Sequence, residues 1–319
     1  MIKVYRDLQQ LPVFKNAVIT IGTFDGVHTG HQQIIQLLEQ EAENTGGQNV
    51  IITFYPHPRK IVAQGKLEIK ILNTLAEKID LLSNAGVSNL VVIPFDGAFA
   101  EQSAEEYVEH FLVEKFHPAT IIIGYDHRFG KGRTGDYHLL EALGEKFGYA
   151  VKEIPEHVLN HVTVSSTKIR QALQNCQVQT ANQLLGYPYF FEGKVIEGNK
   201  LGRTIGYPTA NLLIEDAEKL VPKNGVYAVQ VQVDNETPRI NGMMNIGLRP
   251  TVDGTRQTIE VNIFDFDKDI YGHHLHVHLI KYLREEIKFN GLEQLKEQLA
   301  KDEANARAEL QTSFDSINK

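Results

Sequence analysis

Apolar and polar positions fall into two textures along this chain. From residue 17 to about 154, short continuous apolar runs alternate with segments whose apolar residues recur at helical spacing. The runs at 17–22, 49–54, 89–94 and 120–124 are rich in Val and Ile and predict strands buried on both faces, and 149–154 predicts a fifth strand. Between them, 30–44, 74–85, 103–116 and 136–147 predict helices, with Ser103 and Glu106 spaced as a capping box. Continuous apolar strands alternating with helices predict an α/β domain built on a covered parallel sheet. Ser165 or Ser166 is placed to cap a further helix that turns Ile169, Ala172 and Leu173 inward. A short helical stretch over 177–188 then closes on Gly186 and Pro188.

Beyond that stop, strand-like runs follow one another with turns between them, at 189–197, 207–213, 225–233, 239–246, 257–265 and 274–282. This spacing predicts an antiparallel barrel or sandwich, closed by a helix over 291–310. The pattern therefore divides the chain into 1–185, α/β, and 186–319, all-β with a C-terminal helix. No internal repeat or low-complexity tract interrupts it.

Composition agrees with two globular domains: 319 residues with 42% hydrophobic content. A formal charge of -8 argues against nucleic acid or an anionic membrane as the main partner. There is no apolar run long enough to span a bilayer, and the N-terminus lacks a signal-peptide core. Cys176 is the single cysteine, so no internal disulfide can form, which suits a cytoplasmic protein. Oligomeric state is left open.

The candidate chemistry sits where elements change. Residues 22–31 read Gly-Thr-Phe-Asp-Gly-Val-His-Thr-Gly-His, placing His28 and His31 where the first strand ends and a helix begins. Free N–H groups and the positive end of a helix dipole suit a phosphate there, and two imidazoles add donors for oxygens that gain charge. The same pattern also describes a Gly-rich turn carrying two surface histidines. The stretch 55–59 (Tyr-Pro-His-Pro-Arg) is a stiff turn, and 124–136 mixes glycine, cations and an aromatic ring, which suits either an anion bearing a flat ring or a solvated loop. In the second domain, 198–206 is a basic glycine-rich loop running into Tyr207-Pro208-Thr209-Ala210-Asn211. On a strand Thr209 and Asn211 share a face, and hydroxyl and amide oxygens together are hard ligands suited to magnesium on nucleotide phosphates. Glu260 alternates out from an apolar strand face; it is either a solvent-facing residue or a general base. His274, His276 and His278 share one strand face without any further ligand cluster beside them.

Taken together, these stretches resemble the bacterial bifunctional riboflavin kinase/FMN adenylyltransferase family, over nearly the whole chain. The first-domain match rests on 22–31, 54–58, 124–136 and 165–170. That of the second rests on 202–211, 222–229, 245–251 (Asn-Ile-Gly-Leu-Arg-Pro-Thr), 259–261, 271–272 and 283–289. The resemblance implies a Rossmann-like nucleotidylyltransferase domain followed by a small riboflavin kinase barrel. It implies ATP as co-substrate with Mg2+, and riboflavin, FMN, FAD, ADP and pyrophosphate as the remaining small-molecule partners. Carried over to this chain, it makes His28 and His31 stabilise phosphate charge. Gly22, Phe24, Asp25, Gly30, Asp126, Ser166, Thr167 and Arg170 would line the adenylyltransferase nucleotide site. Glu260 would help to deprotonate the ribityl hydroxyl, Thr209 and Asn211 would hold magnesium, and Gly202, Arg203, Gly206, Pro208 and Arg284 would serve the kinase ligands. The chain departs from the family at His127, where an aromatic ring is expected, at Lys168, where arginine is frequent, and at Asn262, where histidine is common.

Overall fold

The computed structural model describes residues 2–62, 69–154, 164–198, 201–234, 238–251 and 254–317. Asn199 and Lys200 of the basic loop lie outside these residues. The chain divides into two compact units, Met1–Ser166 and Thr167–Lys319. The division comes earlier than the expected 185/186 boundary. The helices Ser166–Gln174 and Val178–Leu185 are tied to the second unit: Gln174 donates to Val221 O at 3.2 Å and Asn182 to Leu279 O at 2.8 Å.

The first unit holds one parallel sheet. Its strands are β1 (Lys3–Tyr5), β2 (Ala17–Ile21), β3 (Asn49–Tyr55), β4 (Asn89–Pro94), β5 (Pro118–Gly124) and β6 (Ala150–Ile154), in the order β1-β4-β3-β2-β5-β6. β1 is additional to the five predicted strands. It is three residues long and exists only because Lys3, Val4 and Tyr5 find partners on β4, something no local pattern reveals. β2 lies central and is buried throughout. Side-chain alternation splits its core: Ile19 and Ile21 join Val50, Ile52, Ile121 and Phe111 on one face, and Val18 joins Ile35, Leu38, Ile51 and Leu82 on the other. The predicted helix over 103–116 is present but carries a π-helical segment, Tyr107–Val113. The Ser103–Glu106 capping box forms as expected.

The second unit is a closed barrel rather than a sandwich. Its strands are β7 (Phe190–Ile196), β8 (Ala210–Leu213), β9 (Gly225–Val233), β10 (Ile240–Thr251), β11 (Gly254–Ile263) and β12 (His274–Arg284), ordered β10-β11-β8-β7-β12-β9 with antiparallel pairing throughout. β8 begins three residues later than predicted. Pro208 has no N–H to donate, and the ladder to β11 starts at Ala210. The helix Leu292–Ile317 covers the barrel, with Ala306 and Leu310 packed among Ala228, Met243 and Phe264.

Candidate functional site

In the first unit, β2 delivers the chain into the 22–28 turn and the helix Thr29–Thr45. The turn is strained. Phe24 (φ 47°) and Val27 (φ 34°) both lie in the left-handed region, where a β-branched residue is an outlier at about 1–3 kcal/mol each. Several distant groups hold it. Thr23 O accepts from Thr53 Oγ1 at 3.2 Å and from Lys78 Nζ at 2.7 Å. The Asp25 carboxylate accepts from the Leu72 and Asn73 amides at 2.9 and 3.3 Å, and Asp25 O accepts from Ser166 Oγ at 2.9 Å.

His28 is the N-cap of the helix: its Nδ1 accepts from the His31 amide at 3.3 Å. An accepting Nδ1 carries no proton, so the neutral ring carries it on Nε2. The His31 ring stacks on His28 at 3.6 Å and 13°, and Phe24 lies 4.9 Å from His31. A Cβ at Gly30 would lie in van der Waals contact with the His28 ring, at 3.4 Å. Burial pushes His28 down to about 4, with Asp25 opposing weakly. Burial lowers His31 well below its ordinary value, helped by the charges of His28 and Lys78. Both imidazoles are therefore neutral at physiological pH. Burial also lowers Lys78, to about 8, although Asp25 supports its charge.

Of the residues expected in this site, the turn gathers His28, His31, Gly22, Gly30 and Ser166 around one strand-to-helix junction. Phe24 and Asp25 are 2% exposed and sit beneath the turn, where they support it. Asp126 is exposed in the turn following β5. Thr167 and Arg170 follow Ser166 in the first turns of their helix. Sequence reasoning missed Lys78 and Thr53. A usable signal for Lys78 was present: it shares helical spacing with Leu75 and Leu82, so a cation occupies a core-facing position. His127 ends with a buried Nε2 that has no hydrogen-bond partner among the described residues, and burial lowers it to about 4.

In the barrel, Arg203, Pro208, Thr209 and Asn211 line one cleft together with Gly198 and Tyr271. The glycines are required there. A Cβ on Gly202 would come within 2.1 Å of Tyr207 O, and one on Gly198 within 2.1 Å of the Asn211 amide. Gly206 adopts φ 89°. Glu260 pairs in register with Asn211 across the β8–β11 ladder. Arg249 bridges it to a second acid: Nη2 lies 3.6 Å from Glu260 and Nη1 2.6 Å from Glu286. Asn262, two residues along the same strand, donates to Pro208 O at 2.7 Å. Tyr271 and Arg249 were not singled out as site residues, although both fall in the stretches that carried the resemblance.

Arg284 is not brought to this cleft. Its Nε and Nη2 make a two-point bond to Asp302 at 2.8 and 2.6 Å, and its Nη1 donates to Glu285 O. The histidine strand also has its own partners. His276 Nε2 lies 2.7 Å from Glu192, which His274 also contacts, and burial together with the Arg239 charge lowers His278 to about 3. No group of three or more potential metal-ligating His, Cys, Asp or Glu residues occurs among the described residues. None of the described helices is long and apolar enough to cross a membrane.

A parallel sheet ending in paired histidines at a helix start, followed by a closed barrel with a Thr/Asn cleft, defines the class: a nucleotidylyltransferase-like unit joined to a kinase-like barrel. Family models agree in identity and order, with FAD synthetase over residues 11–168 and riboflavin kinase over 185–310. Proteins described as bifunctional riboflavin kinase/FMN adenylyltransferase are similar along almost their full length. The one from Haemophilus influenzae is 40% identical over 93% of this chain and 95% of its own. The one from Escherichia coli K12 is 38% identical over 96% of each, and the one from Bacillus subtilis 38% over 91% of each. A Streptococcus pneumoniae crystal structure, described as a macrolide-efflux protein, matches with a TM-score of 0.85 at 31% identity, covering 95% of this chain and 98% of that one. The chain belongs to the bifunctional riboflavin kinase/FMN adenylyltransferase family.

Proposed function

We propose that the two units carry out consecutive ATP-dependent steps. The barrel transfers the γ-phosphoryl group of ATP to the 5′-hydroxyl of riboflavin, giving FMN and ADP. The first unit joins the FMN phosphate to the α-phosphorus of ATP, giving FAD and pyrophosphate. The observation that best supports the reading is that each unit carries its own phosphate-ready centre: His28 stacked on His31 at a helix start, and Thr209 with Asn211 in a cleft beside Glu260.

In adenylyl transfer, His28 presents an Nε2–H fixed by its capping role, at the positive end of the helix dipole. Such a donor acts on charge that develops as the α-phosphate is attacked. The imidazoles stay neutral, so their donor role is constant across physiological pH. Gly30 places no side chain beside the His28 ring, and Ser166, bonded to Asp25 O, extends the nucleotide site. Asp126 lies in the turn after β5, at the carboxyl edge of the sheet where such folds bind ligands.

In the kinase step, Glu260 accepts the proton of the ribityl hydroxyl as it attacks. Arg249, with Nη2 3.6 Å from that carboxylate, orients it. Thr209 and Asn211 offer two oxygen donors on one face of the cleft, which fits magnesium, an ion that takes few protein ligands and shares the rest with substrate phosphates. Bound there, magnesium would neutralise β- and γ-phosphate charge. Gly202, Arg203, Gly206 and Pro208 form the wall over the nucleotide, and Arg284 keeps the adjoining strand on the final helix.

The test is to incubate the protein with riboflavin, ATP and magnesium and to separate the flavins by chromatography. Riboflavin passing to FMN and then to FAD is the expected result. FMN without FAD would sink the first-unit assignment. Absence of any product, including from FMN supplied directly, would sink the whole reading and favour a flavin-binding regulator.

A further inference from the structure

Lys78 stands out because a cation occupies the buried face of a helix, 7% exposed, behind the strained turn that presents the two histidines. Its ammonium donates to Thr23 O at 2.7 Å, the shorter of the two hydrogen bonds to that carbonyl. Two non-glycine residues with positive φ follow Thr23 within four positions, so the turn keeps its shape only while its carbonyls are held. We propose that Lys78 is a positioning residue for adenylyl transfer: its ammonium fixes the Thr23 carbonyl, and with it the placing of His28 and His31. The inference rests on the assignment of that reaction to the two histidines.

The electrostatics support the geometry. The Lys78 charge is among the causes that lower His31, and Asp25 is the carboxylate that favours the charged amine. The charged and titratable groups around it are Asp25 in the turn, His28 and His31 at the next helix start, and Glu77 on its own helix. Glu77 is engaged in capping Thr74. Lys78 itself is the N–H donor and nothing places it on a reacting atom, so its effect passes through the turn.

The test uses the full chain and reads both activities. Lys78→Met keeps the aliphatic stem and removes donor and charge. The expected result is at least a tenfold fall in kcat for FAD formation from FMN, with KM for ATP and FMN changed less than threefold and FMN formation from riboflavin unchanged. The acid limb of kcat for FAD formation should also move to higher pH, because His31 loses a neighbouring positive charge. Lys78→Gln keeps an N–H donor without charge. It should recover part of kcat while retaining the shifted acid limb, and it decides the matter if Lys78→Met prevents the first unit from folding, as read by loss of its thermal transition with kinase activity intact. A kcat within twofold of the parent in both variants, or an unmoved acid limb, overturns the proposal. His28→Ala separates this from the underlying assignment: if it retains FAD formation, the assignment itself has failed.

Discussion

Replacing Asn262 by Leu should impair the kinase and leave the adenylyltransferase untouched. Asn262 is 8% exposed, and its amide donates to Pro208 O at 2.7 Å. The ladder that holds β8 on β11 ends at Ala210, opposite Val261. Pro208 contributes no N–H, so the Asn262 side chain continues the pairing by one link and sets where Thr209 emerges. Leucine has nearly the same volume and leaves the carbonyl unpaired in a mostly buried place. Losing one partner of such a bond costs about 1–3 kcal/mol, equivalent to roughly a 5- to 150-fold change in an equilibrium. Because the link acts on Thr209 and Asn211, the loss should appear as that fall in kcat/KM for ATP in FMN formation. The assay follows FMN produced from riboflavin at varied ATP. FAD made from supplied FMN, in the same preparation, controls for folding. A kinase efficiency within twofold of the parent would refute the reasoning. So would an equal fall in both activities. Asn262→His, which can still present an N–H, should lose less.

Three further outcomes follow from the same geometry. His28→Ala should abolish FAD formation while FMN still accumulates, and Glu260→Gln should stop FMN formation while supplied FMN is still converted; flavin chromatography distinguishes the two patterns. His28, pushed from 6.5 to about 4, binds fewer protons folded than unfolded between those values. The His28 contribution to the stability of the first unit should therefore be flat above pH 6.5 and fall by about 3 kcal/mol as pH drops to 4, and calorimetry on His28→Ala should show a shallower slope. Arg284→Met leaves the Asp302 carboxylate, 2% exposed, without its two-point partner. Barrel stability should drop by about 3–5 kcal/mol in denaturant unfolding, and an unchanged midpoint would return Arg284 to the candidate ligand residues.

Much of the architecture is written locally. β2, β3, β4 and β5 were legible because a strand buried on both faces must be continuously apolar, and the intervening helices because one face repeats every third or fourth residue. The junction carrying His28 and His31 was legible for the same reason, since it is where one period gives way to the other. Thr209 and Asn211 reach one cleft because strand alternation puts residues two apart on one side. Even the barrel was visible as closely spaced strands, although not its closure, which needs β10 to meet both β9 and β11.

What escaped is what depends on residues far apart in the chain. Thr23 and Lys78 are 55 positions apart, Asp25 and Leu72 are 47 apart, and Asn262 and Pro208 are 54 apart. Each is a single hydrogen bond that no periodicity encodes, because its partner is chosen by the packing of whole elements. The same is true of Arg284, a cation near a cleft by sequence and a clamp on Asp302 by structure, and of Asp25, a carboxylate in a phosphate-like motif whose Oδ1 accepts from two backbone amides. Sequence alone determined which elements form and which side chains stand at their ends, since both follow from short-range sterics and burial. Tertiary structure alone decided which of those polar groups are consumed in holding the turns and which are left to meet a ligand, because a buried donor or acceptor must be paired by whatever the fold brings within reach.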